Sequence, residues 1–180
     1  EGFNTDGEGF LKHLDRELGF NPQNKIIAII GAGGASRAVA VCLAQANPGA
    51  IAIYDIDKGR ASSLVSHLQD NFNKPQLKIA DSIGELNIKA ADLLINATPI
   101  GMKEDDPLII EESSLHKNLQ VYDLIYNPKE TKLLKVAKHQ GCRVSNGLGM
   151  LLYQGALSFK HFTGQDAPVE IMRKALKQAL

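Results

Sequence analysis

Residues 26–37 read Ile26-Ile27-Ala28-Ile29-Ile30-Gly31-Ala32-Gly33-Gly34-Ala35-Ser36-Arg37. An apolar, largely β-branched run that ends in a glycine cluster and passes at once into small residues is the pattern of a buried strand turning into a helix. Outward from this stretch the chain alternates short apolar runs with amphipathic segments, the signature of βαβ units feeding a parallel sheet. The spacing predicts strands at 26–30, 50–55, 77–80, 93–96, 119–123 and 143–145. It predicts helices between and after them at 36–45, 58–73, 131–140 and 147–162. Right-handed crossovers then make the class α/β, a doubly wound and mostly parallel sheet with helices on both faces.

Two further helices flank this core. Thr5 followed by Glu8 reads as a capping box opening a helix over 6–18, which Gly19 stops. Asp166 and Pro168, as N-cap and early-turn residues, open a last helix ending near Leu180. The expected organisation is a leading helix, residues 1–20, and one domain over 21–180.

Composition narrows the partners. With 20 Lys+Arg against 20 Asp+Glu in 180 residues the formal charge is zero. Nucleic acids and anionic membranes call for a clustered positive surface, so neither is an expected partner. The longest apolar run stops at Ser36 and Arg37, well short of the roughly 18 residues of a spanning helix. Cys42 and Cys142 are too few and too far apart for a disulfide framework, which fits a reducing, cytoplasmic setting. The opening Glu-Gly-Phe-Asn-Thr-Asp has neither an initiator Met nor a basic leader. It reads as neither a signal peptide nor a natural start, so upstream sequence is expected.

The glycine cluster carries the first functional reading. Gly31 allows the tight turn, and Gly33, with Ala32, Gly34 and Ala35, lets backbone N–H groups approach a pyrophosphate at the positive end of the helix. Ser36 stands where the usual third glycine would be, small enough to keep helix and strand close. This is a dinucleotide fingerprint in a Rossmann-like βαβ context. Asp55 lies 24 residues beyond Gly31, near the interval expected of a ribose-binding carboxylate. Such a carboxylate accepts both ribose hydroxyls of NAD and repels the 2′-phosphate of NADP. A hundredfold preference needs only about 2.8 kcal/mol. NAD is therefore the expected cofactor. The alternative is NADP, with a solvated Asp55 and Lys58 or Arg60 swinging in to hold the phosphate. Thr98, Pro99 and Ile100 follow the fourth strand and Ile125 follows the fifth, so their loops line the cofactor at the carboxyl ends of the strands.

Four more segments stand out: Gly2-Phe3-Asn4-Thr5-Asp6-Gly7, Asn96-Ala97-Thr98-Pro99-Ile100-Gly101-Met102, Asp123-Leu124-Ile125-Tyr126-Asn127-Pro128, and Asn146-Gly147-Leu148-Gly149-Met150-Leu151-Leu152-Tyr153-Gln154. In this order, with Gly31 to Ser36, they resemble the shikimate dehydrogenase family from Gly2 onward. The match is to the C-terminal cofactor domain, with the N-terminal substrate domain absent.

That resemblance implies reversible hydride transfer between a nicotinamide cofactor and the 3-hydroxyl or 3-oxo carbon of shikimate, or of quinate in sister enzymes. It makes Asp6 one half of a catalytic pair whose lysine belongs to the substrate domain. Hydride reaching a ketone carbon leaves charge developing on oxygen, so a positioned acid must deliver a proton. The resemblance also places Asn4, Thr5, Tyr126 and Gln154 at the substrate, Gly147 at the nicotinamide amide and Met150 near the ring. Where NADP-dependent members carry Asn-Arg-Thr, this chain has Asp55-Ile56-Asp57, as in an NAD-using quinate/shikimate branch. The chain alone is expected to bind dinucleotide yet turn over poorly.

Other features invite no role. His13, His67, His116, His139 and His161 lack metal-site spacing and read as surface residues, so no metal is expected. The sequon Asn96-Ala97-Thr98 falls at a buried strand end, and Glu104-Asp105-Asp106 reads as a solvated loop tip. Two competing functions are a regulatory module that binds NAD without turnover, and a related oxidoreductase acting on another carbonyl or on a folate.

Overall fold

The computed structural model describes residues 2–179. Alternation along each strand decides what covers it. In β1 (Ile26–Ile30), Ile27 and Ile29 pack into one apolar cluster while Ala28 and Ile30 pack into another on the opposite face. A strand buried on both faces is the parallel-sheet pattern that its continuous apolar run implies.

The remaining elements are α1 (Asp6–Arg16), α2 (Gly34–Gln45), β2 (Ala50–Tyr54), α3 (Lys58–Asn71), β3 (Gln76–Ile79), β4 (Leu93–Asn96), β5 (Gln120–Asp123), α4 (Lys132–His139), β6 (Arg143–Ser145), α5 (Leu148–Thr163) and α6 (Val169–Ala179). Every strand and helix read from the sequence is present, with ends within a residue or two. Leu180, the expected end of the last helix, lies outside the described residues. The six strands form one parallel sheet in the order β3-β2-β1-β4-β5-β6. The chain runs outward from β1 to β3, then crosses to β4 and runs the other way. Between β1 and β4, therefore, the connections diverge at the carboxyl rim and leave a crevice.

One face is covered by α1, α2, α3 and α5 around Phe10, Leu43, Leu64, Tyr122 and Met150. The other is covered by α4 and the irregular connections around β4 and β5, through Leu86, Ile110, Leu133 and Leu134. The helix α1 sits close against α2 and α5 because two glycines let it. A Cβ on Gly7 would run into the Ala38 carbonyl, and one on Gly9 would lie 2.6 Å from the Gln154 nitrogen.

Three local readings are corrected. Thr5 precedes α1 but makes no side-chain capping bond. Its hydroxyl lies 3.0 Å from Ser158 Oγ, a partner across the helix pair, and Asn4 Oδ1 instead accepts the Asp6 N–H at 3.0 Å. Asp166 does not cap α6, since its carboxylate accepts from Lys160 Nζ at 2.7 Å and Pro168 supplies the first helical carbonyl. His13 is not a surface residue: it is 5% exposed, on the inner stripe of α1 with Phe10 and Leu14.

Candidate cofactor and substrate cleft

The turn after β1 is shaped by what stands close to it. Gly31 has φ of 105°, and a Cβ there would lie 2.7 Å from the Ala97 carbonyl oxygen. Both the backbone conformation and the approach of the β4 loop thus require glycine. Its N–H donates to Tyr54 O at 2.7 Å, and the fully buried Ser36 hydroxyl donates to Gly31 O at 2.5 Å. Ser36 keeps helix and turn together where a third glycine was expected.

The N-terminus of α2 is open. Its N-cap, Gly33, offers no side chain, its first turn holds no acid, and a Cβ on Gly33 or Gly34 would meet nothing within 4 Å. Backbone N–H groups at the positive end of a 12-residue helix therefore face free space, and a diphosphate fits there. Ala32 and Ala35 complete this turn, and Ala35 also lines the neighbouring groove.

Asp55 is fixed at the tip of β2 by two backbone donors: Ala32 N–H to Oδ2 at 2.6 Å and Asp57 N–H to Oδ1 at 2.8 Å. It is thereby tied to the phosphate turn rather than loose in solvent. The two nearby cations are engaged elsewhere, Lys58 with Asp81 at 2.6 Å and Arg60 with Asp57 at 3.3 Å. These pairs are exposed, so each holds its cation only weakly.

Beside the turn runs a groove of about 400 Å³. Thr98, Pro99 and Met102 form one wall, and Leu124, Ile125 and Tyr126 the other. Met102 and Tyr126 are 58% and 39% exposed, an unusual concentration of open apolar surface around one cleft. Ile100 continues the first wall's loop without lining the groove. Gly147 packs behind the second wall, against the backbone of Leu124 and Ile125. Its N–H donates to Ile125 O at 3.1 Å, and a Cβ there would run into the Leu124 carbonyl. Met150, one turn further, is 8% exposed and packs in the core rather than in the groove.

The start of α1 meets the middle of α5. Thr5 Oγ1 lies 3.4 Å from Gln154 Oε1, and the Gln154 amide donates to Leu151 O at 3.2 Å. Asp6, half-buried, begins α1 beside this cluster. The structure thus brings Asn4, Thr5, Asp6 and Gln154 together and adds Ser158, which lies one helical turn beyond Gln154 and was legible from that spacing.

Sequence reasoning also missed the roles of four buried residues with polar groups: His13, Tyr122, Asn96 and Asp123. His13 Nδ1 meets Tyr122 Oη at 2.7 Å, and Asn96 Nδ2 donates to Asp123 Oδ1 at 3.0 Å. Asn96, Asp123 and Tyr122 are fully buried. Asp106 departs from the solvated loop tip expected of its acidic run, because it accepts from the Gly101 and Lys103 N–H groups and shapes the loop under Met102. These amides hold the Asp106 carboxyl below its ordinary pKa. Among the described residues no helix is long and apolar enough to cross a membrane, and no group of three or more His, Cys, Asp or Glu residues could hold a metal ion.

Residues 147–177 match the profile of the Shikimate 5'-dehydrogenase C-terminal domain. A shikimate dehydrogenase (NADP(+)) of Methanopyrus kandleri is 44% identical over 185 residues, which take in all of this chain and 63% of that protein. A crystal structure of a shikimate dehydrogenase in complex with NADP+ superposes with a TM-score of 0.88 at 39% identity, over 99% of this chain and 62% of that one. A quinate dehydrogenase from Corynebacterium glutamicum in complex with NAD superposes with a TM-score of 0.90 at 32% identity, over 99% and 63%. The chain spans a little under two thirds of the length of the curated relatives it matches.

Proposed function

We propose, from the premise that this chain corresponds to the C-terminal domain of the shikimate dehydrogenase family, that it is the cofactor half of an NAD(P)-dependent oxidoreductase. Its reaction is the reversible reduction of 3-dehydroshikimate to shikimate, or the matching oxidation of quinate. The observation that carries this reading is the open N-terminus of α2 at the crevice between β1 and β4, with a groove beside it. When bound, the dinucleotide supplies or accepts the hydride. The turn from Gly31 to Ala35 holds its diphosphate, and the walls at Thr98, Pro99, Ile125 and Tyr126 exclude water from the reactive ring.

Asp6 orients the substrate hydroxyls and the proton-delivering group, which we assign to a lysine outside these 180 residues because the relatives are longer. Asn4, Thr5, Gln154 and Tyr126 hold the remaining hydroxyls. The Gln154 amide turns from Leu151 to the substrate on binding. A regulatory module that never turns over substrate would have no use for the polar cluster of Asn4, Thr5, Asp6 and Gln154, which supports the enzyme reading. The setting we propose is cytoplasmic.

Of the two cofactors we propose NAD. Asp55 is a fixed carboxylate at the tip of β2, where the ribose-binding acid of an NAD site is expected, and this supports the choice. The names of the curated relatives favour NADP, and a calorimetric titration with both cofactors separates the two readings. Turnover tests the rest. The chain alone should oxidise shikimate at a rate several orders of magnitude below that of the same chain joined to a lysine-bearing substrate domain. Equal rates would show that the catalytic pair is misassigned.

A further inference from the structure

The two walls of the groove are loops that follow different strands, β4 and β5. What holds them at a fixed separation lies behind them, at the buried carboxyl ends of the two strands. Asp123 Oδ1 accepts from Asn96 Nδ2 at 3.0 Å and from the Ile125 N–H at 3.1 Å. Its Oδ2 accepts from Thr131 Oγ1 at 2.7 Å. Asn96 in turn governs the first wall: its Nδ2 donates to Ile100 O at 3.2 Å, and its Oδ1 accepts from both the N–H and the hydroxyl of Thr98, at 3.0 and 2.7 Å.

The directions of these bonds are fixed. Thr131 Oγ1 accepts the Leu134 N–H at 3.3 Å as the N-cap of α4, so its own proton goes to Asp123. The Asn96 oxygen is taken by Thr98, so only its amide nitrogen faces Asp123. Every group that faces the carboxylate donates, which requires an acceptor on both oxygens. Asparagine at 123 would put a donor against a donor.

From this network we infer that Asp123 is a positioning residue for the reactive end of the cleft, tying the Thr98–Ile100 loop to the Ile125–Tyr126 loop. The inference rests on the dinucleotide reading above, because it concerns the space where the nicotinamide ring would lie. Asp123 touches no ligand itself. It is fully buried and acts through Asn96, Ile125 and Thr131. The diphosphate turn is held by other bonds, those of Ser36, Tyr54 and Asp55. Loosening the walls should therefore leave the adenosine end of the site intact.

The test is to bind ADP-ribose and NADH to the wild-type chain, to Asp123→Asn and to the milder Thr131→Val, which removes the donor to Asp123 together with the acceptor that caps α4 and keeps the side chain's shape. Near-ultraviolet circular dichroism establishes that each is folded. In both variants ADP-ribose affinity should be unchanged, while NADH affinity falls by about tenfold in Asp123→Asn and less in Thr131→Val. The fluorescence of bound NADH at saturation should move toward that of the free form. Equal weakening of both ligands, or no change in either, would overturn the positioning role. A wild-type chain that binds neither ligand would remove the dinucleotide reading and the inference with it. Should Asp123→Asn fail to fold, the same comparison in Thr131→Val decides.

Discussion

The imidazole of His13 and the hydroxyl of Tyr122 meet at 2.7 Å where neither is open to water, joining α1 to β5. The direction of this bond follows the imidazole tautomer, and the ring nitrogen left over is Nε2. That nitrogen faces Glu17 at 3.6 Å, and Glu17 in turn takes two bonds from Arg173 on α6, at 3.1 and 2.7 Å. One chain of polar groups thus links the core behind the cleft to the last helix. Removing the hydroxyl in Tyr122→Phe should cost about 1–3 kcal/mol of stability, because the buried His13 Nδ1 then has no partner. Urea unfolding measures it, and an unchanged midpoint would show that the bond contributes nothing.

The pH dependence of stability follows from the same pair. Burial lowers the His13 pKa below its ordinary 6.5, with Arg173 acting in the same direction and Glu17 opposing. Protonation then favours the unfolded chain, which takes up the proton first. The contribution of His13 should be constant above about pH 6.5 and should be lost as the pH falls below it. His13→Gln should flatten this part of the profile between about pH 5 and 7. Equal slopes in the two proteins would exclude His13 as the source.

Gly149 faces the His13 ring so closely that a Cβ would overlap it. Because the ring is held from behind by Tyr122, Gly149→Ala should destabilise by about 1–3 kcal/mol. Gly155, whose Cβ would lie 3.4 Å from the flexible end of Met172, should accept alanine with little loss. Thermal unfolding of the two variants gives the comparison, and equal midpoints would contradict it.

Asp55 should decide cofactor choice. The chain is expected to bind NAD more tightly than NADP, and Asp55→Ala should shrink that ratio by about tenfold or more. Both affinities should fall somewhat, because the Ala32 N–H loses its acceptor. Calorimetry on both proteins reads the ratio, and a preference for NADP in the unsubstituted chain would reverse the assignment.

The fold was legible because local signals agreed: continuous apolar runs for buried strands, glycine at the turn, Gly19 after α1 with φ of 59°. What escaped the sequence is contact at long range. Thr5 carried a capping signature, yet its hydroxyl faces α5, 153 residues away at Ser158. Nothing near His13 announces Tyr122, 109 positions on. Asn96 and Asp123 were visible as strand ends, but only the pairing of β4 with β5 shows that they touch. Met150, placed near the ring by likeness alone, is 8% exposed and belongs to the core cluster that also holds Phe10 and Tyr122.

The most direct test of the account is a crystal of this chain grown with NAD. The diphosphate should rest on the turn from Gly31 to Ala35 at the start of α2, with the ring between the Thr98–Pro99 and Ile125–Tyr126 walls and its reactive face toward Asp6. A cofactor bound away from that rim, or a ring turned from Asp6, would contradict it.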